Sequence, residues 1–281
     1  MSDHRTAALL GRAGQYLILA AFVVFLAFPL VWMLSTSLKG PQELVALSPS
    51  LIPANPTLDN FVRALTEQDL VQAAINSAIV ATISAILTVA AALPAAYTLV
   101  RFPGRLQKVA VAWILVSQVF PMILIVIPLF LILKQLALLN SLPGLILVYL
   151  VWSMPFVLFM LQSFIRAIPI ELEEAASVDG ASRIGVVRRI VFPLLAPGIV
   201  VVLLFAFIAA WNEFFFALVV LQDADLTTIP VRLARFVGSE GVVRLGPLAA
   251  ASLLATLPSL VVFIALQRRI TSGLLAGGVK G

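Results

Sequence analysis

Ile170-Glu-Leu-Glu-Glu-Ala-Ala-Ser-Val-Asp-Gly-Ala-Ser-Arg-Ile-Gly-Val-Val-Arg-Arg-Ile-Val-Phe-Pro193 is the one long charged island between two membrane-length apolar runs. Its punctuation reads as two short helices joined by a corner. Pro169 suits a first helical turn, where its missing N–H would be unpaired anyway. Glu171, Glu173 and Glu174 follow in that turn, where the helix dipole favours anions. Asp179-Gly180 is a stop, because glycine takes the left-handed conformation past a helix end at little cost. Ser182 fits the N-cap of a second helix. That helix puts Ile184, Val187 and Val191 on one face and Arg188 on another, and Pro193 is expected to end it. The first helix is built from small residues, Ala175, Ala176 and Ser177, with Gly180 and Ala181 following. Such a shallow surface lets another protein approach closely. An ordinary amphipathic helix on a membrane surface has the same features, and spacing alone does not separate the two readings.

On either side of the island the chain is overwhelmingly apolar. Of 281 residues, 62% are hydrophobic and 11% are charged, against about a quarter charged in a soluble domain. The expected class is an all-α polytopic membrane protein. Outward from the island lie Leu142–Phe164 before it and Gly198–Leu221 after it. Ala73–Val100, Val109–Leu133 and Gly246–Leu266 are of similar length, and Tyr16–Leu34 is a first run near the N-terminus. Each reaches the roughly 20 residues needed to cross a bilayer as a helix. Barrel-type alternation is absent, and lipid cannot satisfy free backbone groups, so helices are expected throughout. The first run is longer than the core of a signal peptide and no small-x-small cleavage site follows it, so it reads as a retained span. The expected organisation is an N-terminus over 1–15, a first span over 16–34 and an outer loop over 35–72. A core over 73–266 follows, carrying the charged loop 166–197, and then a tail over 267–281. The loop 35–72 is rich in proline (Pro41, Pro49, Pro53, Pro56) and reads as extended chain or short surface helices.

The net charge is +5, and its distribution is a topology signal rather than a nucleic-acid footprint. Lys39, Arg63, Lys134, Arg232, Arg235 and Arg244 flank one side of the six expected spans, and the other twelve of the 18 Lys and Arg flank the opposite side. The richer side is expected to be cytoplasmic. It holds both termini and the Ile170–Pro193 island. Prolines recur within spans (Pro29, Pro94, Pro121, Pro128, Pro155, Pro258). They kink helices that alternate between packings, and they are also simply commoner in membrane helices.

The chemistry-bearing residues are few. There is no cysteine, and the one histidine, His4, sits near the N-terminus. That leaves no disulfide, no thiolate or histidine metal cluster and no catalytic constellation. No Gly-x-x-x-x-Gly-Lys-Ser/Thr loop occurs, so any nucleotide must bind another subunit. Glu213, in Trp211-Asn212-Glu213-Phe214, is the only acid inside an expected span. A carboxylate at that depth either lines a polar path or is a structural anchor bonded to a neighbouring helix. Asn76, Gln118, Trp152, Trp211 and Asn212 supply amides and flat aromatic faces suited to such a polar path. Each of them also suits interhelical hydrogen bonding or packing. Ser77, Ser117, Tyr149, Ser153 and Gln162 are further polar side chains at membrane depth.

The island resembles the Glu-Ala-Ala loop of bacterial ABC importer permeases. That pattern is Glu-Ala-Ala, three residues, Gly, nine residues, Ile, one residue, Leu-Pro. Glu174, Ala175, Ala176, Gly180, Ile190 and Pro193 fall in register, with Phe192 in place of the leucine. Trp211-Asn212-Glu213-Phe214, Pro56-Thr57-Leu58-Asp59-Asn60-Phe61 and the glycine-rich tail are similar to segments of the maltose and trehalose branch. The resemblance implies a type I importer permease fold of six transmembrane helices in a bacterial inner membrane. It implies that Glu173, Glu174, Ala175, Ala176, Ser177, Asp179, Gly180, Ile190 and Pro193 couple to an ATPase. It further implies that Gly277, Gly278, Val279 and Lys280 reach toward that ATPase. The implied partners are a second homologous permease subunit, an ATPase dimer that holds the ATP and Mg, and an extracytoplasmic sugar-binding protein or lipoprotein. The implied function is carbohydrate import, of maltose or trehalose type, by alternating access. An ABC permease for another small polar solute, a secondary transporter driven through Glu213, and a membrane scaffold are the alternatives. The scaffold reading leaves the Glu-Ala-Ala pattern unexplained.

Overall fold

The structure is a computed structural model, and it describes residues 2–67, 69–237 and 243–278. Among these, the helices in chain order are α1 (Ser2–Ser37), α2 (Pro41–Leu44), α3 (Asp59–Glu67), α4 (Leu70–Arg101), α5 (Arg105–Val119), α6 (Met122–Gln135) and α7 (Leu142–Arg166). Next come α8 (Glu171–Val178), α9 (Arg183–Val186), a π-helical turn (Val187–Val191), α10 (Phe192–Trp211) and α11 (Phe215–Val220). A 3₁₀ turn (Ala224–Leu226), α12 (Ile229–Ala234) and α13 (Leu245–Gly278) complete the order.

Among the described residues five helical stretches are long and apolar enough to cross a membrane: Gly14–Ser37, Leu70–Arg101, Leu142–Arg166, Arg183–Trp211 and Leu245–Ala265. The sixth expected span, Val109–Leu133, is not one rod. It is split into Gln107–Val119 and Met122–Gln135, which bend by 102° at the break. Pro121 explains this. It lacks an N–H, and its ring disfavours a helical conformation in the residue before it. Phe120 accordingly lies at φ −67°, ψ 125°. Counting the bent pair as one span gives six.

Two further expectations are corrected around the charged island. Pro193 does not end the second helix, because α9, the π turn and α10 run on as one span from Arg183 to Trp211. The wider π turn immediately before the proline is what absorbs it. A π turn re-routes the carbonyls that a regular α ladder would aim at the missing N–H and the bulky ring. The fifth span also stops early. The expected Gly198–Leu221 run breaks after Trp211, and α11 restarts at Phe215. At the C-terminus the glycine-rich tail is helical as far as Gly278. Leu274, Leu275 and Ala276 favour helix, and no proline interrupts them. Val279 and Lys280 lie outside the described residues.

The chain divides into two units. One comprises Met1–Leu70 and Leu233–Ala255. In it the first span is unburied within the chain, and the loop after it is well anchored. Asn60 is buried and donates to the carbonyls of Ser37 (3.0 Å) and Lys39 (2.8 Å). Lys39 stacks on the Trp32 ring and donates to the Ser50 carbonyl.

The other unit comprises Val71–Arg232 and Thr256–Gly281. Its larger core joins Ala85, Val89, Ala92 and Ala96 of α4 to Val157, Leu161 and Ile165 of α7, with Val186, Val191, Leu195 and Val202 alongside. The alanine stripe on α4 lets helices approach closely without a hydrophobic drive from water. A second core joins Val80, Leu133, Leu145, Val148 and Tyr149 to Phe216, Ala217 and Val220 of α11. Helices α7 and α10 approach closely at Gly198, where a Cβ would stand 2.6 Å from the Phe164 ring.

Candidate functional site

The corner predicted at Gly180 is a full Schellman motif. The Ala181 N–H donates to the Ala176 carbonyl (3.0 Å) and the Gly180 N–H to the Ser177 carbonyl (3.1 Å), the two bonds that define it. Gly180 lies at φ +86°. Ser182 caps the next helix, accepting from the Gly185 N–H at 3.2 Å. The second helix turns differently from its expected face. Val186 and Val191 are buried, while Ile184 is 81% exposed. The π turn lies between Val186 and Val191, and its wider spacing lets residues five apart share a buried side.

Helix α8 has two distinct faces. Outward it shows Leu172, Ala175 and Val178, with Glu171 and Glu174 beside them. Val178 is 87% exposed. Inward lies Glu173, only 7% exposed, and its carboxylate is fully engaged by α4. The Arg101 guanidinium bonds Oε1 at 2.7 Å, and the Tyr97 hydroxyl donates to Oε2 at 2.6 Å. Arg101 Nη2 also donates to the carbonyl of Ile168, just past α7 (2.9 Å). Ala176 and Ala181 pack against the larger core. The adjacent acids Glu173 and Glu174 therefore have opposite fates, one braced inside and one free on the surface.

Arg101 and Tyr97 escaped sequence reasoning. Arg101 entered it only as a topology charge. The one available signal was their i, i+4 spacing, which places both on one face at the end of α4. Nothing in the chain announces that their partner lies on α8.

The membrane-depth residues fall into three separate places. Glu213 sits at the break between α10 and α11. Its Oε1 accepts from the Phe216 N–H (2.9 Å), and its Oε2 from the Ala217 N–H (3.1 Å) and the Tyr149 hydroxyl (2.7 Å). The carboxylate thus takes up otherwise unpaired N–H groups at the start of α11. Trp152, one turn along α7 from Tyr149, meets Phe216 edge-on at 5.1 Å. Trp211 is buried and stacks on Phe207 at 5.7 Å. Asn212 caps α10 by donating to the Ile208 carbonyl (2.9 Å). Asn76 is elsewhere. It is buried and donates to the carbonyls of Asp225 (2.7 Å) and Thr227 (3.1 Å), pinning the segment before α12. Gln118 stands apart again, exposed near the end of α5. Tyr149, passed over as one polar residue among several, is the side chain that joins Glu213 to α7. At the far end of α11, Asn140 holds Gln222 and Asp223 through its side chain. Among the described residues no group of His, Cys, Asp and Glu could hold a metal ion.

Five or six apolar spans, with a braced charged helix between two of them along the chain, mark a multi-pass membrane protein. Residues 85–275 match the model of the family described as binding-protein-dependent transport system inner membrane component, and the chain belongs to that family. It is 54% identical to a putative ABC transporter permease of Streptomyces antibioticus, over 82% of this chain and 100% of that one. It is 36% identical to a sulfoquinovosyl glycerol transport permease of Agrobacterium fabrum, over 96% of this chain and 95% of the relative. It is 37% identical to a trehalose transport permease of Mycobacterium tuberculosis, over 96% and 98%. Among solved structures, a chain of a bacterial ABC transporter involved in import of the acidic polysaccharide alginate superposes with a TM-score of 0.78. That match is 20% identical and covers 92% of this chain and 96% of the other.

Proposed function

We propose that this chain is one of two homologous permease subunits of an ATP-driven importer for a carbohydrate, most simply a disaccharide of trehalose or maltose type. In this reading α8 is the coupling helix. It docks on one subunit of a separate ATPase dimer, which holds the ATP and Mg²⁺. An extracytoplasmic sugar-binding protein or lipoprotein delivers the substrate, and the spans alternate between outward and inward openings. The termini and α8 are cytoplasmic, following the lysine and arginine asymmetry.

One observation carries the docking assignment. Helix α8 exposes Leu172, Ala175 and Val178 beside Glu171 and Glu174, while its opposite side is pinned by a buried ion pair. Apolar area without a partner at the end of a charged loop suits a protein cleft. The carbohydrate assignment is supported by the relatives, whose substrates include two different glycosides, sulfoquinovosyl glycerol and trehalose. Trp152, Asn212 and Gln118 are the proposed contacts along the path, with Trp211, Asn76 and Glu213 behind them as supports. Gly277, Gly278, Val279 and Lys280 are proposed to extend toward the ATPase.

The test is uptake into vesicles by the complex assembled from this chain, its partner permease, the ATPase and the receptor encoded beside it. Labelled trehalose and maltose are the first substrates. Uptake that needs both ATP and receptor, and that resists an uncoupler at held ATP, is expected. Uptake driven by a proton gradient without ATP would overturn the reading.

A further inference from the structure

We propose that Arg101 is the positioning residue through which a displacement of α8 reaches the second span, α4. This rests on the assignment of α8 as the ATPase-docking helix. Two of the connections from α8 to the rest of its unit contrast. Along the chain, α8 runs into Gly180 at φ +86°, where no atom lies within 4 Å of a would-be Cβ. After that corner come the Ser182 cap and the π turn. A glycine corner held by backbone bonds and followed by a π turn sets where α8 points, but it is a softer connection than a buried ion pair.

Through space the route is stiff. Both oxygens of Glu173 are held by α4, one by Arg101 and one by Tyr97. The two side chains of the ion pair are each 9% exposed. A buried pair resists separation, because parting leaves an uncompensated charge in a poorly solvated place. The same guanidinium also holds the Ile168 carbonyl. One planar group therefore ties the ends of α4 and α7 to the inward face of α8. Lysine cannot reproduce this, since it offers a point charge rather than a fork.

Helix α4 is also built to respond. Pro94 lies inside it, about two turns before Arg101, and removes one bond of the backbone ladder. The last turn, from Tyr97 to Arg101, can swing with α8 while Ala85, Val89, Ala92 and Ala96 stay in the core. Movement is then delivered to the second span first, and the fifth span follows through the softer corner.

The experiment uses the assembled complex in vesicles and reads sugar delivered per ATP hydrolysed. A photo-reactive maleimide on Ala175→Cys reports docking of α8 on the ATPase. Arg101→Gln and Glu173→Gln are expected to keep the cross-link and ATP hydrolysis while sugar per ATP falls about tenfold, within the usual span of coupling between sites. Arg101→Lys is expected to fall between these and the parent chain. Tyr97→Phe, which removes only one hydroxyl, gives a smaller fall in the same direction, and it decides the matter if the Arg101 variants fail to insert. An unchanged ratio in Tyr97→Phe and Arg101→Gln, with the cross-link intact, would overturn this inference alone. So would a loss of uptake that merely tracks loss of assembled complex. Absence of the cross-link in the chain carrying only Ala175→Cys would overturn the docking assignment, and this inference with it.

Discussion

Glu213 illustrates how an ionisable residue is accommodated at a helix break. Its two oxygens accept from two backbone N–H groups and a tyrosine hydroxyl, so the cost of desolvating it is offset by bonds at the start of α11. Glu213→Ala removes both acceptor oxygens, and the three unpaired donors should cost about 1–3 kcal/mol. Glu213→Gln keeps one acceptor oxygen and turns an NH₂ toward donors on the other side. The expected order of melting temperature in detergent is parent, Gln, Ala. Equal damage from Gln and Ala would show that the charge itself is needed. Gly180 makes the opposite case, because no neighbour crowds it and the demand is purely conformational. Gly180→Asn should be tolerated, since asparagine visits the left-handed region. Gly180→Val should cost about 1–2 kcal/mol and re-aim α8. ATPase retention on the purified complex distinguishes the two. Full retention in Gly180→Val would mean that the corner does not aim the helix.

At the scale of elements, the decisive features are close approaches and breaks. Helices α7 and α10 meet where Gly198 leaves no room beside Phe164. Gly198→Val should overpack this crossing and lower stability by about 1–3 kcal/mol. Adding Phe164→Ala should restore part of the loss, read as a non-additive term in a double-mutant cycle of thermal stability. Strict additivity would mean that the two side chains do not meet. The bend at Phe120-Pro121 and the break at Asn212–Phe214 interrupt runs whose composition is continuous. Each is a local event, one made by a proline and the other by a carboxylate that takes up backbone donors. The π turn works in the reverse sense, carrying a helix through Pro193.

For the whole molecule, orientation is the property with the widest consequences. A cysteine at Ser50 should react with an impermeant maleimide from outside intact cells. A cysteine at Ser182 should react only after permeabilisation, since the island is assigned to the lysine- and arginine-rich side. Both positions are exposed within the chain, so lack of reaction reflects sidedness rather than packing. Labelling of Ser182→Cys in intact cells would overturn the orientation, and the docking assignment with it.

Apolar length, charge placement and helix punctuation are local quantities, and they determined a great deal. The helical membrane class, the corner at Gly180 and the cap at Ser182 follow from residues within a few positions of one another, so they were legible in the sequence. The bent pair was only half legible, because Pro121 is visible but nothing local says that this proline breaks its helix while Pro94, Pro128 and Pro155 stay within theirs. The tertiary structure alone decided which of two adjacent glutamates is buried. It placed Arg101 and Tyr97 on Glu173, and Tyr149 on Glu213, across separations of 64 to 76 residues. Such pairings depend on how helices cross. The crossings are set by shape at positions such as Gly198 and the alanine face of α4, and no spacing rule along the chain encodes them.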